Sequence, residues 1–82
     1  MRRNQRDYFS FLKVIKFFRL SKMISQEGLA RRLNVHQSFI SKYESGERRL
    51  DILELRQVCN ALEVPFSKFI TELEKELKHH ET

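Results

Sequence analysis

Residues 25–46 read SQEGLARRLNVHQSFISKYESG, and this stretch decides the fold. Ser25 is a favourable N-cap residue, and it precedes a segment whose apolar positions recur at helical spacing. Asn34 tolerates the left-handed backbone of a tight turn, so a second helix can run from about residue 36 to Gly46, a typical C-cap. The inward positions are Leu29, Ala30 and Leu33 in the first helix of this pair, and Ile40 and Tyr43 in the second helix of the pair. In the whole chain, they are the second and third helices. Two short helices joined by so brief a turn form a helix-turn-helix motif.

Three further helices are predicted around this motif. The first covers about residues 7–22, and another begins at Asp51, which forms a capping-box pair with Glu54. The last follows Pro65 and covers about residues 66–78. The inward positions are Tyr8, Phe11, Leu12, Ile15, Phe18 and Arg19 in the first of these, and Ile52, Leu55, Val58, Cys59 and Leu62 in the second. The sequence therefore predicts an all-α, five-helix domain.

The chain has 82 residues, which is enough for one domain. We divide it into a basic N-terminal arm at residues 1–6, a helix-turn-helix domain at 7–70, and a C-terminal helix and tail at 66–82. Its net charge of +5 is unevenly placed: residues 1–24 carry seven Lys and Arg against one acid, whereas residues 51–82 carry four against seven. This asymmetry suits a protein with one face on a polyanion and another on a protein partner, although solvated charge without a partner would look the same.

Several classes of protein are disfavoured. Cys59 is the single cysteine, so an internal disulfide and a multi-cysteine zinc site are excluded, and His79 and His80 are too isolated from it for a metal site. Lys13 and Lys16 interrupt the apolar run behind the basic start, so neither a membrane-spanning helix nor a signal peptide is predicted, and cytoplasmic residence is expected. No catalytic triad, phosphate loop or carboxylate pair can be placed. We therefore expect no enzyme and no cofactor. Because no separate ligand domain is predicted, we also expect no small-molecule ligand.

The helix-turn-helix stretch and its flanks resemble the lambda-repressor-like family, also called the Cro/C1 or XRE type. The resemblance covers about residues 8–70, and its most specific element is the spacing of Gln26, Gln37, Glu44 and Gly46. It is carried by ISQEGLA at residues 24–30, LNV at 33–35 and SFISKYESGER at 38–48. In length and in its charged C-terminal helix, the chain is also similar to the stand-alone controller proteins of restriction–modification systems. The chain departs from the family at Gly28, where Glu is frequent, and at Asn34 and Glu63, where Gly is frequent.

The resemblance implies that the third helix enters the major groove of DNA and that Gln37, Ser38, Ser41 and Lys42 contact base edges. The chemistry of these side chains is suitable, since Gln pairs with adenine N6 and N7, Lys reaches guanine O6 and N7, and Ser can donate or accept. Without the resemblance, they would be read as ordinary solvated residues of a surface helix.

Phosphate contacts are expected around this helix. The resemblance implies one from Gln26, at the N-terminus of the second helix, where it would also brace Gln37. Arg48 and Arg49 follow the third helix in a loop, as phosphate clamps commonly do, and a solvated turn is the alternative. The remaining candidates are Ser45; His36, for which a capping role is the alternative; and an N-terminal arm with Arg2, Arg3 and Arg6.

Arg19 lies on the otherwise apolar stripe of the first helix, where a charge is unfavourable unless it is paired. The resemblance implies that its partner is Glu44. This ion pair would tie the first helix to the third and would be structural.

The predicted partner surface lies at the ends of the chain. Phe66, Ile70, Leu73 and Leu77 step by four, three and four residues as a short heptad seam, with Phe69 beside it. Helix one carries a second apolar set at Phe9, Phe17 and Leu20. We expect a homodimer that binds double-stranded DNA at a short palindromic operator and regulates transcription. The alternatives are a DNA-binding antitoxin of a toxin–antitoxin pair and a protein-interaction module on the same fold.

Overall fold

The computed structural model describes residues 4–79, and these form five helices with no strand among them. The helices are α1 (Gln5–Ser21), α2 (Gln26–Leu33), α3 (Gln37–Ser45), α4 (Ile52–Ala61) and α5 (Phe66–His79). The prediction of an all-α, five-helix domain is confirmed. The radius of gyration is 12.5 Å, as expected for a compact fold of this length.

Helix α1 begins two residues before the predicted start because Asn4 caps it. Asn4 Oδ1 accepts hydrogen bonds from the backbone N–H groups of Arg6 and Asp7, at 2.9 and 3.3 Å. Gln5 and Arg6 therefore belong to the helix, and the sequence-based arm at residues 1–6 is too long. Arg2 and Arg3 lie outside the described residues.

The ends of the other helices follow the predicted caps. Ser25 Oγ accepts from the N–H of Gly28 at 2.9 Å, and Asp51 and Glu54 form a reciprocal capping box at 2.7 and 3.0 Å. Asn34 at the end of α2 has φ 57°, and Gly46 at the end of α3 has φ 87°. The connection from α2 to α3 is therefore only three residues long, from Asn34 to His36.

All five helices contribute to one core, in which Ile15, Leu29, Ile40, Tyr43 and Phe69 are the largest fully buried apolar side chains, along with Leu62 and Val58. Burying apolar side chains at about 25 cal/mol per Å² is the main stabilising contribution in a domain of this size. Ile52 was predicted to face this core but is 61% exposed. It is the first residue of α4, one turn before Leu55, and the helix passes beyond the edge of the core there.

Phe69 also differs from its predicted place. It is fully buried and packs edge-on against Phe11 and at a tilt against Phe18, so it belongs to the core of the monomer and is not available to a dimer interface. Phe66 and Leu73 are partly buried against the same core. Of the heptad seam, Ile70 is the most exposed member, at 41%.

Candidate nucleic-acid interface

Helix α3 has a buried side and a polar side. Ile40 and Tyr43 are fully buried on the first. Gln37 and Lys42 are exposed on the second, and Ser38 and Ser41 are half-buried between them. The Ser41 hydroxyl donates to the carbonyl of Ser38 at 3.2 Å, so part of its hydrogen-bonding capacity is already used. Gln37 and Lys42 are therefore the side chains of this stripe with the greatest freedom to reach a ligand.

His36 is the N-cap residue of α3. Its Nδ1 accepts a hydrogen bond from the N–H of Ser38 at 3.1 Å and lies 3.0 Å from Ser38 Oγ. This geometry favours the capping role that was the alternative for His36. It also fixes the rotamers of both side chains, and Nε2 is left as the ring nitrogen that could approach a phosphate.

Arg19 and Glu44 form the predicted ion pair in a nearly dry environment. Arg19 Nε and Nη2 donate to Glu44 Oε2 and Oε1 at 2.7 and 2.9 Å, and both side chains are at most 6% exposed. Arg19 Nη1 also donates to the carbonyl of Ile24 at 2.8 Å. The hydrogen bond to Glu44 raises the pKa of the Arg19 guanidinium, so the charged fork is favoured.

Gln26 joins this pair from the start of α2. Its Nε2 donates to Glu44 Oε1 at 3.0 Å, so the expected brace runs to Glu44, not to Gln37. A carboxylate explains the preference, since it accepts several hydrogen bonds while neutral amides offer weaker partners. The contact holds the N-terminus of α2 against α3, with the Gln26 side chain half-buried.

The end of α3 and the loop between α3 and α4 contain the other predicted phosphate ligands. Ser45 and Arg49 are exposed, and the Ser45 hydroxyl donates to the carbonyl of Lys42 at 3.0 Å. Arg48 is engaged within the protein. Its Nη1 and Nη2 donate to Glu54 Oε1 and Oε2 at 3.2 and 2.8 Å, and its guanidinium lies 4.4 Å from the ring centroid of Phe39.

Sequence reasoning missed Glu54 and Phe39 as partners of Arg48. The Arg48 hydrogen bond is the main reason that the pKa of Glu54 lies below its usual value, with the Asp51 N–H adding to the effect. The predicted capping box already gave Glu54 a role in the sequence. An Arg six residues earlier fits no helical spacing, so the sequence did not predict its contact with Glu54.

Among the residues that the structure describes, two apolar surfaces are exposed. An open groove of about 500 Å³ lies between the start of α1, the start of α4 and the end of α5. We call it the α1–α4–α5 groove, and its apolar lining comprises Tyr8, Phe11, Leu50, Ile52, Leu55, Leu73 and Leu77. Leu53, next to Ile52, is 70% exposed. The α1 outer face, formed by Phe9, Phe17 and Leu20, is 55–71% exposed.

Other chemistry has little support among residues 4–79. No group of three His, Cys, Asp or Glu side chains is placed to hold a metal ion there. Cys59 is buried in the core, and burial raises the pKa of its thiol to about 11, so it is an unreactive packing residue at neutral pH. No helix in this part of the chain has the length and apolarity needed to cross a membrane.

A family model described as Helix-turn-helix matches residues 15–69. Among curated proteins, the chain is similar to one from Rhodospirillum rubrum described as an uncharacterized transcriptional regulator in the ATPase CF(0) region, with 36% identity over 63 residues. This alignment covers 77% of the chain and 58% of the relative, so the chain spans less than two thirds of that protein's length.

Solved structures share the fold over most of their length. The wild-type restriction–modification controller protein C.Esp1396I has 35% identity and a TM-score of 0.81, with 87% of this chain and 91% of that chain covered. The same controller, as a tetramer in complex with its natural 35 base-pair operator, has 36% identity and a TM-score of 0.79, covering 85% and 92%. An XRE-family like protein from Pseudomonas syringae pv. tomato str. DC3000 has 34% identity and a TM-score of 0.81, covering 87% of each chain. Because the family model spans more than half of the sequence and these folds agree, the chain belongs to the XRE-type helix-turn-helix family.

Proposed function

We propose that this chain is a sequence-specific DNA-binding transcriptional regulator that binds a short palindromic operator as a homodimer, and that it is not an enzyme. The observation that carries the proposal is the exposed polar side of α3, held in place by the buried contacts of Glu44 with Arg19 and Gln26. A reading helix needs this combination of free side chains on a fixed backbone. Its relative C.Esp1396I, solved on its natural operator, supports the same role. A regulator with this role would act in the cytoplasm, where the chromosome lies.

Base reading is assigned to α3. Gln37 is suited to bond adenine N6 and N7 together, and Lys42 is suited to guanine O6 and N7. Ser38 and Ser41 are shorter and half-buried, so they make secondary contacts to base edges. Operator sequence is then determined mainly by the first and last turns of this one helix.

Phosphate contacts are assigned to the two flanks of α3. Gln26 lies at the N-terminus of α2, where unpaired backbone N–H groups and the helix dipole favour an anion. On the other side, Arg49 and Ser45 are exposed near the end of α3, and His36 offers Nε2 at its start. These contacts set the register of α3 and carry no sequence information of their own.

The dimer surface is assigned to the start of α4 and the outer side of α5. Ile52 and Leu53 are 61% and 70% exposed there, and Ile70 is 41% exposed one turn before Leu73 in the α1–α4–α5 groove. Apolar residues adjoining an apolar groove can pair with a second copy about a two-fold axis, each copy covering the other's groove. Phe66, Leu73 and Leu77 line or support this surface, while Phe69 lies beneath it in the core.

The proposal is tested by selection of duplexes from a random-sequence DNA library, followed by fluorescence anisotropy on the selected and scrambled sequences. We expect an inverted repeat whose half-site centres lie about one helical turn, roughly 34 Å, apart. A chain with Gln37→Ala and Lys42→Ala is the control and should enrich no sequence. Equal affinity of the wild-type chain for selected and scrambled duplexes would contradict the proposal and favour the protein-interaction alternative.

A further inference from the structure

Arg48 lies in the loop between α3 and α4, and its guanidinium makes several contacts within the protein. Two of its donors bind both carboxylate oxygens of Glu54, and Nη1 also donates to the carbonyl of Arg49 at 3.0 Å. Its guanidinium carbon lies over the Phe39 ring, 4.4 Å from the ring centroid. A bidentate fork stacked on an aromatic ring is the geometry for which Arg, and not Lys, is suited.

These contacts connect the two helices on either side of the loop. Phe39 belongs to α3 and packs edge-on against buried Tyr43, with ring centroids 5.8 Å apart. Glu54 belongs to α4, and its Oε1, which accepts from Arg48 Nη1, also accepts from the N–H of Asp51 at 3.0 Å. The backbone N–H of Arg48 completes the link, since it donates to the carbonyl of Lys42 at 3.1 Å.

We infer that Arg48 is a positioning residue and not a phosphate ligand: Glu54 and Phe39 hold it so that the loop presents Arg49 to the DNA backbone. This inference rests on the proposed function and replaces the phosphate role first assigned to Arg48. The Arg48–carbonyl bond fixes the orientation of the Arg49 peptide, and the Arg49 side chain is exposed beside the end of α3. Glu54 thereby becomes an acid that promotes binding to a polyanion.

The sign of that effect makes the inference testable. An acidic side chain near DNA ordinarily weakens binding by repulsion, so its removal should strengthen binding. Removing Glu54 should do the reverse, because a loop released from Glu54 must be ordered again when DNA binds.

The test compares Glu54→Gln with Glu47→Gln in the full chain on the selected operator. Gln at position 54 retains an oxygen for the Asp51 N–H, so the cap is kept while the charge pair is lost. Glu47 is exposed in the same loop, so its replacement removes the same charge without touching Arg48. We expect Glu54→Gln to weaken operator binding roughly tenfold, the factor for ordering about one residue, and Glu47→Gln to leave it unchanged or slightly stronger. Operator binding by Glu54→Gln as tight as wild type would overturn the inference.

Salt dependence separates positioning from direct phosphate contact. Arg49→Ala should lower the slope of log affinity against log salt by about one, whereas Arg48→Ala and Arg48→Lys should weaken binding alike without changing that slope. A lower slope for Arg48→Ala, with Arg48→Lys close to wild type, would make Arg48 a phosphate ligand and overturn the inference.

A measurement without DNA tests the loop itself. Amide hydrogen exchange at Arg48 should be faster in Glu54→Gln than in wild type or Glu47→Gln, because its N–H donates within the held loop. Unchanged exchange would overturn the inference while leaving the proposed function intact. Failure of the proposed function has a different signature, a wild-type chain that does not distinguish operator from scrambled DNA.

Discussion

The carboxylate of Glu44 accepts hydrogen bonds from side chains on two other helices, Arg19 of α1 and Gln26 of α2. Its exposed fraction is 4%, so the charge depends on these partners in place of water. We predict that Glu44→Ala lowers stability by about 3–5 kcal/mol without any DNA present, because Arg19 is left buried and unpaired. Thermal unfolding followed by circular dichroism measures this.

The matched control for that change is Glu27→Ala. Glu27 is 68% exposed and lies 3.9 Å from Arg31, so its removal should change stability by no more than about 0.5 kcal/mol. If the two variants melt together, the Arg19–Glu44 pair contributes little and our view of it is wrong.

Side chains that read bases should differ from those that hold phosphates. We predict that Gln37→Ala and Lys42→Ala each cost about 1–3 kcal/mol on the operator, with the loss concentrated at particular base pairs. Arg49→Ala should instead weaken all duplexes alike. Affinity measured across a set of single-base operator variants distinguishes the two patterns, and a uniform loss for Gln37→Ala would move that residue to the phosphate group.

Residue contacts differed in how far the sequence could predict them. The Arg19–Glu44 pair followed from a charge on an apolar stripe together with the family resemblance, because a buried cation requires an anion. The Arg48–Glu54 contact could not be foreseen in this way, since both residues are partly exposed and their meeting depends on the path of the loop. Gln26 was placed correctly near α3, but its hydrogen bond goes to the stronger acceptor.

At the scale of helices, three connections place side chains in the left-handed region. Met23, Asn34 and Glu63 have φ of 57–58°, a conformation that costs most L-residues about 1–2 kcal/mol. Met23 is 93% exposed, so its side chain contributes almost no burial in return. We predict that Met23→Gly raises stability by up to about 1 kcal/mol, as measured by urea unfolding.

Met23→Ala is the control for this prediction, because Ala keeps the Cβ that is unfavourable at positive φ. It should be no more stable than wild type. Equal stabilisation by Ala and Gly would show that loss of the Met side chain, and not relief of backbone strain, is responsible.

Helix boundaries were predictable where a cap was recognisable. Ser25, Gly46 and the Asp51–Glu54 box all end or begin helices as expected. The start of α1 was missed because Asn4 was taken as part of an arm. Ile52 was misplaced because the helical period was extended to the first residue of α4, whose side chain lines the open α1–α4–α5 groove and is 61% exposed.

At the scale of the whole molecule, the question is which exposed apolar surface pairs with a second copy. We predict that Leu53→Glu with Ile70→Glu gives a folded monomer with much weaker operator binding. Joining two half-sites strengthens binding by roughly 10²–10⁴, and a monomer loses that gain. Sedimentation gives the oligomeric state, and circular dichroism checks the fold.

Phe17→Glu with Leu20→Glu on the α1 outer face is the matched control and should remain dimeric. If the Phe17→Glu, Leu20→Glu variant is a monomer and the Leu53→Glu, Ile70→Glu variant is a dimer, then the α1 outer face is the interface. A wild-type chain that sediments as a monomer at tens of micromolar would exclude both surfaces. The sequence predicted the apolar stripes but not which of them is buried in the core. Their burial depends on how α1 and α5 pack around Phe69.

Within residues 4–79, the side chains of Gln37 and Lys42 take part in none of the hydrogen bonds or ion pairs that hold the helices together, whereas Glu44, on the same helix, takes part in several. Substitutions at Gln37 or Lys42 should therefore have different consequences from substitutions at Glu44. Under the proposed function, a duplicated gene could acquire a new operator through changes at Gln37 or Lys42 while its product stays folded. A change at Glu44 would instead leave Arg19 buried and unpaired, so it should cost stability whatever the operator. Sister proteins can diverge in the DNA they recognise while keeping one scaffold.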